Sequence, residues 1–145
     1  MRDLFNSLDV AQVLDPVNVT ADKISDRGAD LKGYEGALAV VAVGVTGDTL
    51  DGSNFISLEL EESEDDSTFT DVAVEDMIGG VQGSSGQFAL INAAAEDDTA
   101  YAVGYIGTKR YIHVVVNVTG THTNGTPVGA VVVRGHKRHK VGPAV

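Results

Sequence analysis

From Val17 onward the apolar residues of this chain recur at every second position, and that period sets the class of fold it can form. In Asn54 to Glu62, NFISLELEE, Ile56, Leu58 and Leu60 alternate with Phe55, Ser57, Glu59 and Glu61. Such a strand turns one side to a core and leaves much of the other wet. Ala37 to Val45, ALAVVAVGV, is apolar on both sides, which predicts a strand in the middle of a sandwich. Clusters of Gly, Asp, Asn and Ser, such as Gly47-Asp48 and Asp51-Gly52, separate the runs and read as turns. Further strands are predicted over Val17 to Thr20, through Phe69 and Val72, and over Gln87 to Ile91, Ala100 to Ile106, Arg110 to Val118 and Val128 to Arg134. About eight strands with no long helix argue for an all-β, antiparallel, jelly-roll-like sandwich. One helical turn is predicted at Val74 to Ile78, ahead of a glycine-rich loop from Gly79 to Gly86.

The first sixteen residues depart from this pattern. Leu4, Phe5, Leu8, Val13 and Leu14 give partial helical spacing, stopped by Asp15-Pro16, and predict a short helix or an arm lying on a surface. The chain thus divides into an N-terminal arm (1–16), a β-sandwich domain (17–135) and a basic C-terminal tail (136–145). A length of 145 residues suits one domain with a real core.

The stretch VGYIGTKRYIHVVVNV, Val103 to Val118, reads as two strands around a turn at Gly107-Thr108-Lys109. Ile112, Val114, Val116 and Val118 share one side and predict the core face, so His113 should point away from it. Tyr101 and Tyr105 on the preceding strand, packed across from Tyr111 and Val115, predict a half-exposed apolar face that the arm or another subunit could cover.

Cysteine is absent, so no disulfide framework, thiolate metal site or cysteine nucleophile is available. No apolar run reaches the ~18–20 residues of a transmembrane helix, and MRDLFNSLDV has no uninterrupted apolar segment of the kind a signal peptide carries. The expectation is a protein made in the cytoplasm and kept off membranes; the three Asn-X-Thr triplets at Asn18, Asn117 and Asn124 are then chance matches. The net charge is −11, unevenly divided: before Arg134 stand all 21 acidic residues against six basic ones, a balance of −15, while the remainder carries +4. An acidic body repels nucleic acid, which disfavours it as a partner. The tail cations Arg134, Lys137, Arg138 and Lys140 are expected instead to dock on an acidic protein surface, through contacts that weaken as salt rises.

Catalytic patterns are missing. His113 lies mid-strand, His122 in a loop, and His136 and His139 among cations, so three or four ligands do not converge as zinc requires. Glu61 to Asp66, EESEDD, is rich in calcium-type ligands but lacks the EF-hand spacing and reads as a solvated turn. Gly83-Ser84-Ser85-Gly86 is not a nucleophile elbow, and the Gly79 to Gly83 loop has no phosphate-binding lysine. No enzyme, metal or cofactor is expected.

Taken in order, FISLELEESEDDSTFTDV, YAVGYIGTKRYIHVVVNVTGTH and PVGAVVVRGHKR resemble small virion proteins of tailed bacteriophages, encoded near the major capsid protein and decorating the head. The resemblance runs over most of Asp30 to Lys140. It implies a capsid decoration, or cement, protein on the outside of the shell, commonly a trimer, whose partner is the major capsid protein. On that reading subunits pair through Tyr101, Tyr105 and Tyr111, while Leu4, Phe5 and Leu8 reach the shell. Relatives often carry a basic residue where this chain has His113. The alternatives are another virion role, as head-tail connector, head fibre base or tail protein, or a carbohydrate-binding sandwich using Tyr34, Tyr101, Tyr105 and Tyr111 as a sugar platform.

Overall fold

The computed structural model describes residues 3–81 and 84–137. Eleven strands form two antiparallel sheets: β1 (Leu8–Val19), β2 (Lys23–Ile24), β3 (Ala29–Asp30), β4 (Tyr34–Val43), β5 (Phe55–Ser63), β6 (Thr70–Asp71), β7 (Met77–Ile78), β8 (Gln87–Ile91), β9 (Thr99–Tyr105), β10 (Tyr111–Thr119) and β11 (Thr126–Lys137). Sheet A runs β1-β11-β4-β9-β7. Sheet B is centred on β10 and β5, with β2 and β3 against β10, and β6 and β8 against β5. The sandwich is the expected fold. The strand number exceeds the expected one because β2, β3 and β7 have two residues each, too short to show a period.

The alternation in β5 resolves as its pattern predicts. Ile56, Leu58 and Leu60 are fully buried between the sheets, against Ile112, Val114 and Val116 of β10 and Val41, Val103 and Val132 of sheet A. At ~25 cal/mol per Å² of apolar area removed from water, this continuous aliphatic layer is the main favourable contribution to folding. Of the helical turn expected at Val74 to Ile78, Val74–Asp76 forms one turn of 3-10 helix, and Met77–Ile78 is strand β7.

Among the described residues no helix forms ahead of β1. From Leu8 onward the expected arm is strand β1, paired with β11 from Leu8 opposite Gly135 to Val19 opposite Thr126. Two irregularities, between Gln12 and Leu14 and between Leu14 and Val17, place the consecutive Val13 and Leu14 both inside, each 0% exposed. A bulge of this kind breaks the period of two and leaves a spacing that imitates a helix. The bulges and Pro16 also blunt this outer edge of sheet A against strand addition.

The stretch from Val103 to Val118 is not a hairpin. β9 pairs with β4 and β7 in sheet A, whereas β10 pairs with β5 in sheet B, so Ile106 to Arg110 carries the chain from one sheet to the other.

Candidate functional site

At the end of the sandwich where β4 and β10 begin, charged groups are committed to one another. The Arg134 guanidinium lies 4.7 Å over the Tyr34 ring, 3.3 Å from Asp9 Oδ2, and donates to the Asp30 carbonyl at 2.8 Å. Tyr34 Oη donates to Asp9 at 2.5 Å, which with Arg134 holds the Asp9 carboxyl below its ordinary range. Asp30 grips Arg110 with two bonds, 2.9 and 2.8 Å. This fork, with the Lys32 amide, pulls Asp30 down to about 2 and pushes Arg110 up. Arg134 was expected, with the tail cations, to dock on an acidic protein surface; it lies inside β11 and is held by groups of its own chain. Lys137 ends the same strand, exposed and opposite Tyr34, while Arg138 and Lys140 lie outside the described residues. Between this network and the Gly107 turn opens a cleft of about 490 Å³ whose lining includes Leu31, Tyr34, Tyr105, Lys109 and Arg110.

The three tyrosines expected on one half-exposed face are separated. Tyr105 is only 3% exposed and points into the sandwich, its Oη donating to Glu62 at 2.6 Å and accepting from the Lys109 amide at 2.9 Å. Desolvation, then the Glu62 bond, pushes its hydroxyl up. Tyr101 packs against the core and donates to the Glu96 carbonyl. Tyr111 lies in sheet B, with Arg110 over its ring at 4.9 Å. Tyr34, held beneath Arg134, meets only Tyr105, at the edge of the cleft, so the four rings form no common platform. The physical reason is the sheet switch: β9 turns Tyr101, Val103 and Tyr105 inward, in step with Ala37, Ala39 and Val41 of β4.

The acidic turn disperses in the same manner. Glu61 meets His113 Nε2 at 2.7 Å, Glu62 meets Tyr105, Glu64 meets Lys109 Nζ at 3.1 Å, and Asp65 accepts from the Ser67 and Thr68 amides. Among the described residues no three His, Asp or Glu side chains gather as metal ligands would. His113 does point out of the core, as its parity requires, yet it is 4% exposed because Phe69 stacks on its ring at 3.6 Å. The outer side of sheet B around it is acidic, with Glu59, Glu61 and Asp71 at neighbouring register positions. Burial raises the Glu59 carboxyl, opposed by a bond with Asn117.

The outer side of sheet A has the opposite character. Register places Val10, Val133, Leu38, Gly104 and Ile78 side by side across all five strands. The next row is Gln12, Val131, Val40 and Ala102, and beyond it lie Gly129, Ala42 and Ala100. Val10, Leu38 and Ile78 are 59%, 40% and 61% exposed. These three rows hold no Asp, Glu, Lys or Arg; ions begin at the rim with the Asp15–Arg27 pair. Leu8 continues the face at one end, while Leu4 and Phe5, 69% and 90% exposed, precede β1. The signal for this surface was present in ALAVVAVGV and VGAVVV, where apolar residues occupy both parities. Only one parity is needed for the core, so the other paves the outside.

No family model matches the chain, and no curated protein matches it. Among solved structures, similarity is found to a subunit of Bacillus endospore appendages, described as disulfide-linked pili, at 13% identity and TM-score 0.43 over 90% of this chain and 89% of that one. The exoplasmic/lumenal domain of VIP36, in its Ca2+- and Man3GlcNAc-bound form, is similar at 12% identity and TM-score 0.43, over 95% and 89%. A chain of infectious bursal disease virus, Gt strain, is similar at 12% identity and TM-score 0.32, over 89% of this chain and 32% of that one. Among the described residues no helix is long and apolar enough to cross a membrane.

Proposed function

We propose that this chain is a non-enzymatic virion protein that decorates the outside of a capsid shell by binding the major capsid protein. The observation that carries the reading is the contrast between the two outer faces. A chain of net charge −11 keeps three rows of one sheet face free of ions and mostly apolar, which is a surface made to be covered, while its acidic face suits solvent. The resemblance of its acidic strand-turn-strand and its Tyr-Ile-Gly-Thr-Lys-Arg-Tyr segment to phage head decoration proteins supplies the kind of assembly. Leu4 and Phe5, exposed ahead of β1, are the apolar side chains that reach the shell, and repetition over a lattice turns modest contacts into firm attachment. Binding to the expanded shell alone would stabilise that state by mass action.

The test is co-sedimentation of the purified chain with expanded and unexpanded shells of the virus that encodes it. Saturable binding to expanded shells at a fixed ratio to the major capsid protein supports decoration, and Leu4→Ser/Phe5→Ser should reduce it without lowering the melting temperature. No binding to either shell refutes it.

A further inference from the structure

We propose that two copies of this chain pair through the outer face of sheet A, sheet against sheet, about a two-fold axis. The inference rests on the reading above that this face is covered, and it names what covers it.

Charge decides which face a second copy can approach. Two chains of −11 repel wherever their acidic surfaces approach, and sheet A's outer face is where the approach brings no ions together. Face-to-face packing stacks the sheets in the order B-A-A-B. With ~10 Å between layers, the Glu59, Glu61 and Asp71 faces of the two copies stand roughly 30 Å apart, several Debye lengths at physiological salt. Lateral pairing at β1 is the competing route, and its two bulges and Pro16 oppose it.

Shape agrees with a two-fold operator. The row through Val133 and Leu38 is tall, the row of Gly129, Ala42 and Ala100 is shallow, and the row through Val40 and Ala102 lies between them. An axis along the middle row turns one copy so that its tall row sits over the partner's shallow row, and the reverse, as an isologous contact requires. The three rows cross five, four and three strands, and with strands ~4.8 Å apart and outward positions ~6.7 Å apart they span roughly 390 Å² per copy, or about 770 Å² in total. That is below the size of a standard specific interface, so the pair is expected to be weaker than micromolar in solution and to fill at the local concentrations of a lattice.

Sedimentation equilibrium of the full chain, from about 1 µM to about 1 mM, reads this out. The expected result is a monomer–dimer equilibrium that tightens between low and high salt, because screening relieves the repulsion of two −11 chains while the apolar contact persists. Ala102→Glu, exposed and near the axis, should weaken the dimer on the order of 100-fold by setting like charges against each other. Leu90→Glu, 40% exposed on the outer side of sheet B, should leave it unchanged. A thermal melt confirms that each variant folds, and Ala42→Glu replaces Ala102→Glu if the latter does not. A wild-type chain that stays monomeric at the highest concentration, a dimer indifferent to the sheet A variants, or a trimer without a two-fold contact overturns the proposal. A monomer that binds shells sinks the pairing and leaves decoration standing; a dimer that ignores shells does the reverse.

Discussion

Tyr105→Phe separates an internal tyrosine from an adhesive one. The substitution removes one oxygen from a side chain that is 3% exposed, and that oxygen serves two partners, the Glu62 carboxylate at 2.6 Å and the Lys109 amide at 2.9 Å. Glu62 is half-buried, so water replaces part of its loss. The Lys109 amide loses its acceptor at the start of β10, where the chain crosses between sheets. Together these place the destabilisation at about 1–2 kcal/mol. An unfolding entropy of ~2.1 cal/mol/K per residue over 145 residues converts this to a fall in melting temperature of roughly 3–7 °C. The assay is differential scanning calorimetry of the isolated chain at neutral pH. A melting temperature equal to that of the wild type would refute the reasoning, because a tyrosine whose hydroxyl faces solvent loses nothing on becoming phenylalanine.

Other predictions concern charge and loop geometry. Asp30 is held near 2 against an ordinary 3.8, so its stabilising effect is complete above about pH 4 and is lost as the pH falls toward 2. The pair is 43% and 40% exposed, so after solvent screening the contribution is about 0.5–1 kcal/mol, and Asp30→Asn should remove that part of the acid sensitivity in pH-resolved melts. Asp48 accepts from the amides of Thr123, Asn124 and Gly125 at 3.1, 3.0 and 2.6 Å; Asp48→Ala should lower the melting temperature and speed amide exchange across 120–125. Gly120 has φ +88°, and a Cβ there would stand 2.5 Å from the Ser53 carbonyl oxygen, so Gly120→Ala should destabilise by at least ~1 kcal/mol in a urea titration.

How legible the fold was depended on whether the signal was local. The alternation of β5 and the inward parity of Ile112, Val114 and Val116 are properties of single strands, and the structure keeps them. The helical spacing of the first residues misled because bulges bring Val13 and Leu14 inward together, and a bulge is set by the partner strand β11. The tyrosines misled because a short connection suits a hairpin and a crossover equally well. Pairing of β9 with β4 and of β10 with β5 settles that question, and it joins residues far apart in the chain. His113 was placed by parity, but its cover, Phe69, comes from the turn beyond β5. The outer face of sheet A was visible as two-sided apolar strands and misread as burial, since a strand covered by a second sheet and one covered by a partner carry the same pattern.

The claim that this face is covered in the working assembly is tested most directly by carbene footprinting of the chain, free in dilute solution and on intact shells. The account predicts that Val10, Leu38, Val131 and Ile78 on sheet A lose labelling on assembly, while Ile24 and Leu90 on sheet B, similarly exposed in the free chain, keep it. Equal labelling of the sheet A residues in both states would contradict it.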